Sequence, residues 1–62
     1  MARIYANCIW RGDYDYNSTN KAYLKLKDKV TACMIEDVQK GKHTEEEFEA
    51  ITGLVYAEVI AG

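Results

Sequence analysis

Few residues in this 62-residue chain could do covalent or metal chemistry. His43 is the only histidine, and Cys8 and Cys33 are the only cysteines. A zinc cluster needs four ligands, commonly in closely spaced pairs. These three side chains are scattered, and no spacing marks a fourth. A Cys–His nucleophile pair needs a third, orienting group and a pocket around it, which a chain this small rarely encloses. The composition therefore points away from an enzyme, and the expectation is no catalytic residue, no metal and no cofactor. His43 reads as a loop histidine near a helix end, and Cys33 as core packing.

Three short motifs carry a second meaning. Asp13-x-Asp15-x-Asn17 begins like a calcium-binding loop. The sixth position of such a loop needs glycine and is Ser18; the twelfth needs a bidentate glutamate and is Leu24. A turn built on Asp and Asn side chains explains the stretch better. Arg11-Gly12-Asp13 and the sequon Asn17-Ser18-Thr19 have meaning only for a secreted chain. Residues 1–10 hold Arg3 and Asn7 and lack a clean apolar run, so no signal peptide is expected. No apolar run is long enough to span a membrane. The expected setting is the cytoplasm, with free thiols.

Recognition has a stronger signal. Tyr5, Trp10, Tyr14, Tyr16 and Tyr23 cluster among Arg3, Arg11 and Lys21. Tyrosine, tryptophan and arginine dominate protein-interface hot spots, and aromatics interleaved with cations also stack on nucleic-acid bases. Asp13, Asp15 and a net charge of −2 favour a protein partner over nucleic acid. The expected partner-binding residues are Tyr5, Trp10, Arg11, Tyr14 and Tyr16. Charge is polarised: every Lys and Arg lies within residues 1–43, and the remainder holds only acids, Glu45, Glu46, Glu47, Glu49 and Glu58. A helix-turn-helix would place those glutamates against phosphate, which argues against it.

The elements that position these residues follow from periodicity and caps. Residues 2–11 alternate: Ala2, Ile4, Ala6, Cys8 and Trp10 on one side, Arg3, Tyr5, Asn7, Ile9 and Arg11 on the other. That is a strand period, with a short helix as the rival reading. Residues 12–20 form a turn-rich loop in which Ser18, Thr19 or Asn20 can cap the next helix. Residues 21–40 read as one helix, with Tyr23, Leu26, Val30, Cys33, Met34 and Val38 at helical spacing. Leu24 and Ile35 widen that stripe beyond what one short partner helix covers, which predicts self-association. Gly41 closes the helix, and Thr44 with Glu47 opens the next through a capping box. The short loop predicts a helical hairpin. Residues 45–61 continue helically through Phe48, Ile51, Val55 and Val59. Gly53 is either an interior glycine, a kink or a cap that would release residues 54–60 as a strand.

The run Gly41-Lys42-His43-Thr44-Glu45-Glu46-Glu47-Phe48-Glu49-Ala50-Ile51-Thr52-Gly53, followed by Tyr56-Ala57, resembles a segment of very short phage proteins of the XkdX type. Those carry a helix, a Gly-Lys-x-Thr-x-Glu-x-[Tyr/Phe] turn, then Ile-Thr-Gly and an aromatic. The likeness covers about the last third of the chain; residues 1–20 and the apolar tail after Gly53 depart from it. It implies a phage or prophage gene product without an established activity, and carries over no functional residue.

Taken together, the sequence predicts one mainly α domain over residues 1–62, a two-helix hairpin with an extended or β N-terminal segment, forming a homo-oligomer. Tyr23, Leu24, Ile35, Val55 and Val59 are the expected oligomer interface. The expected function is that of a non-enzymatic phage accessory protein. It would act through protein–protein contact, as a structural adaptor or as an inhibitor of a host or defence protein in the manner of an anti-CRISPR factor. The alternative is a small nucleic-acid-binding protein that uses the basic, aromatic N-terminal half.

Overall fold

Three of the helix ends are written in glycine, at Gly12, Gly41 and Gly53. Gly12 and Gly41 both adopt left-handed backbone, φ 82° and 77°, which costs a residue with a Cβ about 1–2 kcal/mol. At each, two backbone N–H groups fold back onto the last turn. Gly12 and Asp13 donate to Ile9 and Cys8 carbonyls at 3.0 and 2.8 Å, and Gly41 and Lys42 donate to Val38 and Asp37 carbonyls at 3.0 and 2.9 Å. These are Schellman closures. The computed structural model describes residues 1–62 and contains five helices: α1 (Ala2–Arg11), α2 (Lys21–Leu24), α3 (Lys27–Gln39), α4 (Glu45–Thr52) and α5 (Tyr56–Ala61).

The expected N-terminal strand is a helix. Residues 2–11 carry two periods at once, because Ala2, Tyr5, Ala6 and Ile9 also fall on one helical face. Ala6 and Ile9 are buried on that face, while Ile4 is 59 % exposed. The chain has no strand for residues 2–11 to pair with, and a helix satisfies its own backbone. Arg11 followed by Gly12 was the overlooked stop signal.

The expected helix over residues 21–40 is two helices. Asn20 caps α2, its side chain accepting from the Ala22 and Tyr23 N–H groups. The Leu26 N–H then bonds to Tyr23 O at 2.9 Å, three residues back, before Val30 resumes the α pattern on Leu26 O at 2.8 Å. This tightened turn separates α2 from α3. No glycine or proline marks the place.

Beyond the loop, the hairpin junction forms as its caps predict. The Thr44 hydroxyl accepts from the Glu47 N–H at 3.1 Å, and Glu47 Oε1 accepts from the Thr44 N–H at 3.0 Å. Helix α4 packs back on α3. Gly53 is a cap, closing α4 through its N–H to Glu49 O. Val55 is extended, yet the chain re-enters a helix rather than a strand. Glu49 Oε2 accepts the Tyr56 N–H at 2.9 Å and so supplies the cap that Val55 cannot.

The core lies between α1 and α3 and is closed by α2, α4 and α5. Its largest fully buried side chains are Tyr23, Phe48, Ile9, Met34 and Val30. Burying an apolar side chain of this size stabilises the fold by about 1.5–3 kcal/mol. The Tyr23 ring meets Tyr5 and Tyr14 edge-on at 5.1 Å each, and Phe48 meets Tyr56 at 5.5 Å. Such pairs add about 0.5–1.5 kcal/mol beyond area. The Tyr23 hydroxyl donates to Tyr16 O at 2.6 Å, so burial leaves no orphan. Burial is the main cause pushing the Tyr23 phenol up to about 12, with Tyr16, Tyr14 and Asp15 adding to it.

The centre of the apolar stripe that predicted self-association is packed within the same chain, where Tyr23, Val30 and Met34 are fully buried, while Leu24 at its edge stays 46 % exposed. The radius of gyration, 10.7 Å, matches the roughly 10.6 Å expected for a compact chain of this length. The stripe's width therefore no longer requires a second copy.

Candidate functional site

Arg3, Asn7, Trp10 and Arg11 lie at i, i+4, i+7 and i+8, which places them on one stripe of α1. The stripe faces Asp37 on α3. Asp37 is 2 % exposed, and its Oδ2 accepts from Arg3 Nη1 at 2.7 Å and from Trp10 Nε1 at 2.9 Å. Burial alone would raise the Asp37 carboxyl. The hydrogen bonds from Arg3 and Trp10, with the positive charge of Arg3 and Lys42, outweigh it and hold the group below its ordinary value. Arg3 also reaches Glu36 at 3.5 Å, and Glu36 pairs with Lys40 at 3.1 Å.

The Gly41 turn brings Lys42 and His43 over the same spot. The His43 ring stacks on Trp10 at 3.9 Å and 8°. On its other side, His43 Nδ1 lies 3.1 Å from Glu47 Oε2. The Glu47 carboxyl is held below its ordinary value by the hydrogen bonds from His43 and from the Thr44 N–H. An ionised Glu47 only accepts, so Nδ1 carries the proton. The capping box of α4 thus orients His43, and His43 walls the indole.

The result is a shallow open cleft of about 280 Å³, lined by Arg3, Asn7, Trp10, Arg11, Asp37, Lys42 and His43. Asp37 is its one acid. Arg3 is paired with Asp37, and Arg11 with Asp13 at 3.0 Å. Lys42 forms no ion pair, and the Asn7 side chain makes no hydrogen bond within the chain. The arrangement offers donors on a rigid aromatic wall. His43 is bonded to neither cysteine; Cys8 Sγ instead lies 3.4 Å from Arg11 Nη2.

Of the residues expected to bind a partner, Trp10 and Arg11 line this cleft. Tyr5 and Tyr14 are half-buried against Tyr23. Tyr16 is 5 % exposed and is a core residue. Its hydroxyl lies 2.6 Å from Thr31 Oγ1. Thr31 spends its only proton on Lys27 O at 2.8 Å, so Tyr16 is the donor. Lys27 Nζ sits 4.7 Å over its ring. Among the expected oligomer residues, Tyr23 is fully buried within its own chain, which removes it from any such surface. Ile35 and Val59 are half-buried against the core, whereas Leu24 and Val55 remain 46 % and 48 % exposed. Asp15 is spent on its own loop, its Oδ1 accepting the Asn17 N–H at 2.9 Å. Arg11 and Asp13 of the Arg-Gly-Asp motif bond to each other.

Asn7, Asp37, Lys42 and His43 were missed as a group. Once residues 2–11 are read as a helix, the Arg3–Asn7–Trp10–Arg11 stripe is visible in sequence. No local signal points to Asp37. No family model, curated protein or solved structure matches the chain. No helix is long and apolar enough to cross a membrane.

Proposed function

We propose that this chain is a small non-enzymatic binding protein of phage or prophage origin, acting by protein–protein contact as a structural adaptor or as an inhibitor seated on a host defence protein. The observation that carries the binding reading is the cleft. A preformed set of polar and cationic groups surrounds the only tryptophan, and that indole is held by two neighbours, Asp37 and His43, with Arg3 bonded in turn to Asp37. Preorganised aromatic and arginine side chains are what interface hot spots use. The likeness of residues 41–57 to very short phage proteins supports the origin.

The convergence of Arg3, Arg11 and Lys42 on one cleft favours nucleic acid as the second reading. Two features weigh against it. His43 already occupies one face of the Trp10 ring, the surface a base would stack on, and the chain as a whole carries −2. Titration with duplex and single-stranded nucleic acid at low and moderate salt separates the readings. Absence of binding at low salt supports the protein reading; binding that falls steeply with salt overturns it. A photo-crosslinking residue at Asn7 in the host cell is the positive test. One discrete protein adduct, lost in the Lys42→Glu variant, is the expected result.

A further inference from the structure

From the groups left unpaired in the cleft, we infer that it is a carboxylate-binding site, which takes an acidic side chain from a segment of the protein partner. This deepens the protein-binding reading and rests on it. Internal pairing nearly exhausts the local charge. Asp37 takes Arg3, and Asp13 takes Arg11. The Lys42 ammonium is left without an ion pair, while Glu36 and Glu47 flank the cleft on Arg3 and His43.

The exposed open groups of the cleft are donors, while Asp37 Oδ1 is buried without a partner. Arg11 donates Nε to Asp13 and Nη2 to Cys8, which leaves Nη1 open. Lys42 Nζ and the Asn7 amide have no partner in the chain. The two cationic side chains are donors only. Their complement is an anionic oxygen acceptor. A carboxylate meets this with a single charge; a phosphate dianion meets twice the repulsion from a chain at −2. The cleft is too polar for a large apolar anchor, and it is wide enough for the end of a Glu or Asp side chain. Trp10 and His43, stacked, supply a rigid wall beside it.

Trp10 is the only tryptophan, so its emission reports the site directly. The probe is an acetylated, amidated alanine peptide carrying glutamates, compared with its glutamine twin and with inorganic phosphate. The glutamate peptide should change Trp10 emission saturably, with a dissociation constant on the order of 1 mM for so few exposed contacts. The glutamine twin should leave it unchanged. Lys42→Gln and Arg11→Gln should each weaken the response about five- to tenfold. Both side chains are exposed and outside the core, so far-ultraviolet circular dichroism should stay as in the parent.

Phosphate binding as tightly as the glutamate peptide overturns the assignment, as does a response that survives Lys42→Gln and Arg11→Gln together. Self-association in light scattering that Lys42→Gln abolishes would make a second copy the occupant, and would also overturn it. If neither probe binds while the Asn7 crosslink still captures one discrete protein, the carboxylate assignment falls and the protein-binding reading stands. If the crosslink fails too, both fall.

Discussion

Removing the Asp37 carboxylate should cost this domain about half its stability. Its Oδ2 accepts from Trp10 Nε1 at 2.9 Å and from Arg3 Nη1 at 2.7 Å. A hydrogen bond to a charged, buried group contributes about 1.5–3 kcal/mol. The Arg3 side chain is 41 % exposed, so its share is nearer 0.5–1 kcal/mol, as for a screened pair. Asp37→Ala then loses about 2–4 kcal/mol and leaves the indole N–H unpaired. A chain of 62 residues has about 3–9 kcal/mol in all. Arg3→Ala should cost no more than about 1 kcal/mol.

Urea unfolding followed by Trp10 emission and by circular dichroism measures both. A double-mutant cycle of Trp10→Phe with Asp37→Ala should show about 1–2 kcal/mol of coupling. The carboxyl is held below its ordinary value, so its contribution is complete above about pH 4 and disappears as pH falls through the folded value. Asp37→Asn should flatten that acid limb. An Asp37→Ala variant within 1 kcal/mol of the parent, or strictly additive effects in the cycle, would refute the buried-anchor account.

Other outcomes follow from the same structure. The Tyr23 phenol, pushed up to about 12, keeps its proton in the fold and loses it near 10 when unfolded. Stability should therefore fall by about 2–3 kcal/mol between pH 10 and 12. Tyr23→Phe should abolish that limb in denaturant titrations at graded pH, and a tyrosinate absorbance titration that shows all five tyrosines ionising near 10 in the folded chain would contradict it. Gly41→Ala should cost about 1 kcal/mol, from left-handed backbone alone, since nothing lies within 4 Å of an added Cβ; thermal melts check this. Thr44→Ala should cost about 1 kcal/mol through loss of the α4 cap. It should also loosen His43, seen as altered Trp10 emission before any unfolding.

Local chemistry determined a good deal of this protein from sequence. The Gly41 stop, the Thr44–Glu47 capping box, a cap among residues 18–20 and the helical stripe of residues 26–38 are decided by residues within one turn of each other, so a reader of the chain can find them. What tertiary structure decided was everything in which two patterns compete or a partner is remote. Residues 2–11 satisfy both a strand and a helix period, and α3 selects the helix by offering a face for Ala6 and Ile9. Tyr16 and Tyr23 look like surface aromatics until the loop folds back and gives their hydroxyls Thr31 and a backbone carbonyl. The cleft exists because Asp37, separated from Arg3 by 34 residues and from Trp10 by 27, is buried where it can hold both. Side-chain hydrogen bonds across that distance depend on packing geometry, which no spacing along the chain encodes.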